Sequence, residues 1–290
     1  MKAATDPTRR KLLRRVLLRG GAVGVAGLWG YAGLWEPNHP VVETVSVTLP
    51  NLPPAFHGVR VAFLSDLHLQ PAFRAERLAP TLALLTSAKP DAVLLGGDYC
   101  NGTLGDREYW LEECANAFRA VSVPLGIFAV FGNHDYPVSP FDPPRRPWRD
   151  AGIVPLHDEV AELTRGGERV FVVGLRSTLM RPSRMYQLSL TLPTGATKIV
   201  CQHEPMFVPH IAGCGGSVML SGHTHGGQIV LPFVGAPVLP PYSNGYRAGL
   251  YRRESEMPLY VTRGVGVLPP LLRFRCAPEV TILTLLRGDA

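Results

Sequence analysis

The run Val61-Ala62-Phe63-Leu64-Ser65-Asp66-Leu67-His68 places a carboxylate and an imidazole directly after four apolar residues. A short apolar run of this kind predicts a buried strand, here over residues 59–64. Apolar runs of similar length recur before and after this stretch. Further strands are predicted at residues 41–49, 92–95, 127–131, 170–175, 198–201, 218–220, 259–262 and 280–285.

Two segments between the strands carry apolar residues at helical spacing. Residues 73–87 and 107–120 show this periodicity and are predicted to be crossover helices between parallel strands. Strands that alternate with helices indicate a layered α/β domain, which we place at residues 41–290. The proline-rich residues 137–148 are predicted to form a surface loop.

Polar motifs follow five of the predicted strands. They contain Asp66 and His68 in the run quoted above, Asp98 in Gly96-Gly97-Asp98, Asn133, His134 and Asp135 in Gly132-Asn133-His134-Asp135, His203 in Cys201-Gln202-His203-Glu204-Pro205, and His223 and His225 in Gly222-His223-Thr224-His225-Gly226. Each motif alone is often an ordinary turn. Because the carboxyl ends of strands in such sheets line one crevice, the five motifs together are expected to converge.

Carboxylates, imidazoles and one amide in these numbers suit two adjacent divalent cations. The sequence therefore predicts a two-metal phosphoester hydrolase. The four remaining histidines are interpreted as surface or hydrogen-bonded residues: His39, His57, His157 and His210.

The order of these motifs closely resembles the calcineurin-like metallophosphoesterase family. The resemblance implies an α/β sandwich of two mixed β-sheets flanked by helices. It also implies that one metal ion is held by Asp66, His68 and His225, that the second is held by Asn133, His203 and His223, and that Asp98 bridges both. His134 would be the catalytic histidine that is not a ligand, oriented by Asp135, and a metal-bridging hydroxide would attack phosphorus. Such ligands suit Mn, Fe and Zn alike, so the identity of the two divalent metal ions stays open.

Motifs downstream of residue 226 resemble one bacterial branch of this family. That branch comprises YkuE- and YaeI-type phosphodiesterases, with relatives that cleave the pyrophosphate of UDP-2,3-diacylglucosamine in lipid A biosynthesis. The resemblance favours a membrane-associated phosphodiesterase or pyrophosphatase that acts on a lipid-linked or envelope phosphoester. The alternative is an exported phosphatase or phosphodiesterase acting on small soluble phosphoesters or nucleotides, and a more remote one is a scaffold without catalysis.

Two groups of residues could contact such a substrate. A second phosphate or a lipid headgroup could bind Arg145, Arg146, Arg149, Arg181, Arg184, Arg247 or Arg263, although a solvated position is the ordinary interpretation for each. An apolar wall for acyl chains could comprise Phe233, Tyr242, Tyr246 and residues 268–272, but ordinary core packing is favoured for them.

Residues 1–40 are predicted to be a targeting segment. Seven basic residues and one acidic residue lie in the first nineteen, and residues 20–35 carry no charge. Thr8-Arg9-Arg10-Lys11-Leu12-Leu13-Arg14 resembles the twin-arginine export signal of bacteria, which implies the twin-arginine translocase as a partner and a location at the extracytoplasmic face of the cytoplasmic membrane. A cytoplasmic basic tail is the alternative. Cleavage of the segment and its retention as a membrane anchor both remain open.

The charge distribution and the cysteine content bear on two further classes, nucleic-acid-binding proteins and disulfide-stabilised proteins. The first nineteen residues account for the whole formal net charge of +6, so the overall basic charge does not predict a nucleic-acid partner for the folded domain. The five cysteines are odd in number and include no Cys-x-x-Cys pair. A disulfide framework is therefore not predicted, and the thiols are expected to be reduced and buried.

Overall fold

The computed structural model describes residues 23–101, 106–136, 143–177, 184–252 and 257–288. Within these ranges, twelve strands form two six-stranded sheets. The first sheet has the order β1-β12-β2-β3-β4-β5, and the second has the order β10-β11-β9-β8-β7-β6. The implied architecture of two β-sheets is therefore present.

The first sheet contains the strand that precedes Asp66. Its members are β1 (Val41–Leu49), β2 (Arg60–Leu64), β3 (Ala92–Leu95), β4 (Ile127–Ala129), β5 (Val154–Pro155) and β12 (Glu279–Arg287). Strands β2 to β5 are parallel neighbours, whereas β12 runs antiparallel to β2 and parallel to β1. The sheet is mixed, and the carboxyl ends of β2, β3 and β4 lie at the same edge.

The second sheet is mixed in the same way. Its members are β6 (Glu159–Arg165), β7 (Glu168–Gly174), β8 (Lys198–Cys201), β9 (Val218–Ser221), β10 (Gly249–Tyr251) and β11 (Leu259–Val261). Strands β7, β8, β9 and β11 are parallel neighbours, and β6 and β10 pair antiparallel at the two edges. The carboxyl ends of β8 and β9 therefore also share an edge.

Three apolar clusters arrange the molecule in four layers. Inward-facing residues of both sheets, such as Phe63, Leu94, Val172 and Ile199, pack between the sheets. The outer face of the first sheet is covered by α1 (Ala79–Ala88), α2 (Arg107–Ala117) and α3 (Arg146–Asp150). The outer face of the second sheet packs against α4 (Met185–Leu190) and α5 (Val208–Gly213). The predicted layered α/β class, with helices flanking both sheets, is confirmed.

The predicted strands are present with ends shifted by one or two residues, which is ordinary for element boundaries. The predicted helix at 73–87 begins later, because residues Ala75–Leu78 form a 3₁₀ turn before α1. Strands β5, β6 and β10 were not predicted from the sequence, and neither were helices α3, α4 and α5. These elements are short or, in β6, have only one buried residue, so they lack a clear apolar period.

The predicted surface loop at 137–148 is wrong at its carboxyl end. Pro147 lies in the first turn of α3, and Trp148 is fully buried. Its ring contacts those of Tyr99 and Phe131, with centroids 4.1 and 6.0 Å away. Proline is compatible with the first turn of a helix because that turn needs no backbone N–H donor. Residues 137–142 lie outside the described ranges.

The N-terminal segment is helical where it is described. Residues 23–30 are α-helical and continue through a π-helical turn, Tyr31–Trp35, and a 3₁₀ turn, Glu36–Asn38. Residues 1–22, which include the basic run, lie outside the described ranges. In the described part of the chain, no helix combines the length and apolar content that a bilayer span requires.

The N-terminal segment packs on the body of the domain at its carboxyl end. The Ala32 carbonyl accepts a hydrogen bond from the Arg273 backbone N–H at 2.8 Å. The buried Glu36 carboxylate accepts hydrogen bonds from the backbone N–H groups of Arg275 and Cys276. The last residues of the segment are therefore attached to the loop before β12.

Candidate metal centre

The first ligand group joins the two sheets. Asp66 and His68 follow β2, and His225 follows β9, so the carboxyl ends of strands in different sheets meet here. His68 Nε2 lies 2.9 Å from His225 Nε2, and Asp66 Oδ1 lies 3.6 Å from His225 Nε2. All three side chains are buried. Their donor atoms are close enough together to hold one metal ion.

The second ligand group is built in the same way. Asp98 follows β3, His203 follows β8, and His223 follows β9. These three residues also offer ligand atoms that lie within 4.8 Å of one another. Each group thus forms one candidate ion site, and both sites are built from loops at the same edge of the sandwich.

Asp98 lies between the two groups. Its Oδ2 atom is 3.2 Å from His203 Nε2 and 3.6 Å from His68 Nε2. Its Oδ1 atom accepts a hydrogen bond from the His134 backbone N–H at 2.8 Å. One carboxylate therefore faces ligands of both groups and is held in place by the Gly132–Asp135 turn.

Backbone carbonyls select the tautomers of two histidines. His203 Nδ1 lies 2.8 Å from the Gly96 carbonyl, and His223 Nε2 lies 2.7 Å from the Pro241 carbonyl. Because a carbonyl can only accept, these nitrogens carry the protons. The other ring nitrogens, His203 Nε2 and His223 Nδ1, are then directed toward Asp98 and Asn133.

Asn133 lies at the rim of the second group. Its Oδ1 atom is 3.1 Å from His223 Nδ1, and the residue is half-buried. An amide oxygen beside an imidazole nitrogen is a combination that divalent transition metals accept. The structure therefore brings together all seven residues that the resemblance implied as ligands.

Backbone strain is concentrated at this centre. Five non-glycine residues there have φ between 48° and 71°: Asp66, His68, Asp98, His223 and His225. Non-glycine residues in this region each cost on the order of 1–3 kcal/mol and persist where the surroundings hold them. The loops are thus bent so that consecutive side chains point at one place.

Burial determines the protonation of three of the imidazoles. It lowers the pKa of His68 to about 3, and it also lowers the pKa values of His225 and His223. Neutral imidazole is the form that binds metal, so these three side chains are ready to act as ligands at pH 7.

The carboxylates give the centre its negative charge. Burial raises the pKa of Asp66 to about 6, with Asp98 adding to the shift and His203 opposing it. Burial also favours a neutral Asp98, but the nearby His203 lowers the Asp98 pKa well below its usual range. Although burial lowers the pKa of His203, the Asp98 carboxylate raises it well above normal. The pocket therefore favours positive charge between these two residues, as expected where cations bind.

The donor set fits two divalent cations. Two buried carboxylates and four imidazoles converge on a small volume, and two imidazole nitrogens of the first group are only 2.9 Å apart. Such a cluster leaves lone pairs facing one another unless a cation or a proton lies between them. Nitrogen and oxygen donors in this mixture suit Mn, Fe and Zn.

His134 and Asp135 have different positions from each other. The His134 ring lies edge-on to His68, with centroids 5.0 Å apart, at the border of the first ligand group. The Asp135 carboxylate accepts backbone hydrogen bonds from Asp98, Tyr99 and Gly132, each at 2.8 Å. These three hydrogen bonds use both carboxylate oxygens and join Asp135 to backbone N–H groups rather than to the His134 imidazole. Its carboxylate is turned back onto the Asp98 loop by the tight turn at residues 133–135.

Sequence analysis missed the loop that supports Asp66. Backbone N–H groups of Val265 and Gly266 donate to the carbonyls of Ser65 and Asp66, at 3.0 and 2.7 Å. A Cβ atom at Gly266 would lie 2.0 Å from the Leu67 carbonyl oxygen, so only glycine allows this approach. The two glycines of Arg263-Gly264-Val265-Gly266 were the available signal.

An apolar cavity of about 380 Å³ adjoins the centre. Its wall includes His223 and His225 together with Ile229, Val238 and residues 268–270. Tyr246 is buried in the core, as expected, but Phe233 is fully exposed, so core packing was the wrong interpretation for it.

The candidate arginines have mixed surroundings. Arg145, Arg146 and Arg263 pair with carboxylates, and the Arg247 guanidinium lies 3.5 Å from the Gly226 carbonyl. Arg181 lies outside the described ranges. His39 and His157 make hydrogen bonds, as predicted for histidines outside the centre. None of the five cysteines, which all lie in the described ranges, forms a disulfide, and Cys100, Cys114, Cys201 and Cys276 are buried.

Comparison with known proteins decides the family. The family model described as "Calcineurin-like phosphoesterase" matches residues 59–227, more than half of the chain, and this range contains every residue of both ligand groups. The chain belongs to this family. It is a metal-dependent phosphoester hydrolase, and its two ligand groups match the two-cation chemistry of such an enzyme.

Named relatives of this calcineurin-like phosphoesterase cover most of the chain. The "Uncharacterized metallophosphoesterase YkuE" of Bacillus subtilis is 30% identical over 95% of this chain and 98% of its own length. "Phosphodiesterase YaeI" of Escherichia coli is 32% identical over 78% of this chain and 82% of its own. A zebrafish (Danio rerio) "Transmembrane protein with metallophosphoesterase domain" is 25% identical over 98% of this chain and 65% of its own. The resemblance stated from the motifs is confirmed.

Proposed function

We propose that this enzyme is a membrane-associated phosphodiesterase or pyrophosphatase whose substrate is a lipid-linked or envelope phosphoester of the UDP-2,3-diacylglucosamine type. The observation that carries the proposal is the position of the apolar cavity, which shares His223 and His225 with the ligand groups. A substrate with a phosphoester next to an apolar chain would place its charged part at the ligands and its apolar part against Ile229 and Val238. The name of the YaeI relative supports diester chemistry.

We assign the two divalent cations to the two ligand groups. Asp66, His68 and His225 would hold one, Asn133, His203 and His223 would hold the other, and Asp98 would contact both. When bound, such cations supply Lewis acidity to the phosphoryl oxygens and lower the pKa of water. The protein contributes fixed ligand positions, since buried hydrogen bonds hold Asp98, His203 and His223 in place.

His134 is assigned a role in proton transfer. Its imidazole lies beside His68 at the border of the ligand groups and is half-buried, so a substrate can reach it. A histidine in this place can donate a proton to the leaving oxygen, a contribution typically of about 10²- to 10⁴-fold in rate. Asp135 supports this chemistry through the loop that carries Asp98, whose backbone N–H donates to its carboxylate.

We also propose that residues 1–40 direct export through the twin-arginine translocase and then stay attached as a membrane anchor. The uncharged stretch at residues 20–35 after a basic run supports export. The buried Glu36 and its two backbone partners support retention, because cleavage beyond this residue would remove a bonded part of the domain. The catalytic domain at residues 41–290 would then lie on the extracytoplasmic face.

A substrate screen of the purified, metal-loaded full chain tests the substrate class. Bis-aryl phosphate, aryl phosphate, a nucleotide and UDP-diacylglucosamine would each be assayed with and without detergent micelles. We expect diester or pyrophosphate hydrolysis, with highest kcat/KM for the acylated substrate in micelles. Activity confined to small soluble esters would instead favour the alternative of an exported phosphatase. No hydrolysis of any substrate with Mn²⁺, Zn²⁺ or Fe²⁺ supplied would favour a scaffold.

A further inference from the structure

Exposed apolar side chains are concentrated in two segments. Of the eighteen large apolar side chains exposed in the described ranges, seven lie in residues 23–35 and five in residues 231–242. They include Trp29 at 58% exposure, Trp35 at 57% and a fully exposed Phe233. Soluble monomers rarely expose contiguous apolar patches of this kind unless the patch binds something.

The two segments are neighbours. The Tyr31 and Phe274 rings meet edge to face, with centroids 6.3 Å apart, and Phe274 pairs by a β-bridge with Ile229. Leu28, Trp29 and Leu231 line one shallow apolar depression of about 230 Å³. The exposed residues of 23–35 and 231–242 therefore form one surface, which we name the apolar face.

A tight hairpin carries the most exposed part of the apolar face. Leu231 and Gly235 exchange backbone hydrogen bonds at 2.8 and 2.9 Å, so residues 232–234 form the turn between them. Phe233 and Val234 lie in this turn and project into solvent. No packing within the described ranges accounts for two apolar side chains at such a tip.

The apolar face continues to the metal centre. Ile229 lines both the shallow depression and the 380 Å³ cavity that contains His223 and His225. Val238, exposed on the apolar face, lines the cavity as well. A molecule that covers the face therefore lies at the mouth of the cavity.

The charge pattern identifies the occupant. Residues 20–35 have no charge, and the nineteen residues before them carry seven basic side chains and one acidic one. An uncharged face rich in aromatic residues, in a chain whose preceding nineteen residues are strongly cationic, is complementary to the interface of an anionic bilayer, where acyl chains lie beneath negative headgroups. Protein–protein interfaces usually have a polar rim, whereas the exposed side chains of residues 23–35 and 231–242 are apolar.

We propose that the apolar face docks on an anionic lipid bilayer, with Phe233 and Val234 inserted at the acyl boundary and the cavity mouth turned toward the headgroups. This inference rests on the proposed membrane location of the enzyme. It adds that the catalytic domain itself contacts the lipid, so that a lipid-linked phosphoester would reach the ligand groups sideways from the bilayer.

Tryptophan fluorescence tests the insertion of the hairpin directly. The chain has four tryptophans, of which Trp110 and Trp148 are buried in the core. In the full chain with Trp29→Phe and Trp35→Phe, Phe233→Trp would be mixed with phosphatidylglycerol/phosphatidylcholine vesicles that contain brominated lipid. We expect its fluorescence to be quenched. The matched control in the same background is Tyr186→Trp, an exposed position on α4, and it should be unquenched.

Vesicle sedimentation measures the contribution of the face to binding. Wild-type protein should sediment with anionic vesicles and much less with pure phosphatidylcholine. The Phe233→Ser/Val234→Ser double variant should partition about tenfold more weakly, whereas the control Tyr186→Ser/Leu190→Ser, at two exposed positions on α4, should match wild type. Both pairs are exposed, so neither change removes core packing.

Two results would overturn the proposal. An unquenched Phe233→Trp in vesicle-bound protein would mean that the chain is tethered only by its N-terminal segment, and failure to bind anionic vesicles would remove the partner. The substrate assignment fails separately. Tight docking with hydrolysis of soluble esters alone would reject the lipid-linked substrate and keep the docking surface. Hydrolysis of the lipid substrate in micelles, without vesicle binding, would keep the lipid-linked substrate and reject the docking surface.

Discussion

Asp98 shows how much can depend on one carboxylate. It faces His68 and His203, which belong to different ligand groups, and it is positioned by the backbone of His134. Replacing it with Asn would remove one negative charge from a buried site that has to balance two cations. The effect should therefore extend to both ion sites, unlike the loss of a ligand that belongs to one group.

Asp98→Asn should lower bound metal below two ions per chain and reduce kcat/KM by roughly 100-fold or more, because several kcal/mol of charge stabilisation are lost. Metal content, by inductively coupled plasma mass spectrometry, and the rate of diester hydrolysis would both be measured on the same sample. Two tightly bound ions in this variant would contradict the bridging assignment. Asp150→Asn, a change at an exposed carboxylate on α3, is the control.

His134→Ala should separate metal binding from catalysis. The His134 side chain is in neither ligand group, so the variant should retain its metal while kcat falls about 10²- to 10⁴-fold. The readouts are metal content and kcat for a diester with a poor leaving group. If turnover stayed at the wild-type level, His134 would have no part in proton transfer.

Asp135→Asn should act on stability first. An asparagine side chain offers one oxygen, whereas the three backbone N–H groups around Asp135 use both carboxylate oxygens. At least one donor would then face an amide N–H group, at a cost of about 1–3 kcal/mol in the free energy of unfolding. Chemical denaturation measures this loss. A stable variant with an altered pH dependence of kcat would instead restore the expected link between Asp135 and the His134 ring.

At the scale of elements, loops from different sheets hold one another. The Val265–Gly266 backbone supports the loop that carries Asp66, and Cys276 Sγ contacts the His225 carbonyl at 3.2 Å. Glu36 of the N-terminal segment in turn bonds the backbone at Arg275 and Cys276. The N-terminal segment, predicted to precede the domain, thus contacts Cys276, and Cys276 in turn contacts the loop that carries His225.

Glu36→Ala should test that connection. Removing a buried carboxylate that accepts two backbone hydrogen bonds should lower the free energy of unfolding by about 2–3 kcal/mol. Glu112→Ala, on the exposed side of α2, is the matched control and should change stability little. Both would be compared by urea denaturation of the full chain, and equal midpoints would show that the segment is not part of the folded unit.

For the whole molecule, the ligand groups connect the two sheets. Asp66, His68 and Asp98 come from the first sheet, while His203, His223 and His225 come from the second. A cation that binds only the native arrangement stabilises the native state, by about 2.7 kcal/mol when its concentration is 100 times Kd. The metal should therefore act as a link across the sandwich.

Chelation should lower Tm by several degrees at pH 7.5, as about 2–4 °C per kcal/mol is typical for a chain of this size. The difference in Tm between the metal-loaded and the chelated protein should shrink as pH falls below about 6. Burial raises the Asp66 pKa to about 6, so below that value protons compete with metal for this carboxylate. Paired thermal scans with Mn²⁺ or with chelator across pH 5–8 measure it. A metal-independent Tm would contradict the assignment of the ion sites.

The long buried elements could be predicted from the sequence, whereas the short ones could not. Strands such as β2 and β3 are buried along their length, so their apolar runs are visible in the sequence. By contrast, β10 is only half-buried, and α3 lies in a proline-rich segment. These elements are stabilised by packing against residues distant in sequence, which the local pattern of apolar residues does not predict.

What the amino-acid sequence determined by itself is the ligand set and its order, because each ligand follows an apolar strand and carboxyl ends of parallel strands share an edge. What only the tertiary structure decided is which atoms face one another. The turn of Asp135 onto the Asp98 loop, the close approach of Gly266 to Leu67, and the shared depression of Trp29 and Leu231 all depend on contacts between segments far apart in the chain. Such contacts form only when the two sheets pack, since packing rather than local sequence fixes the distances between loops.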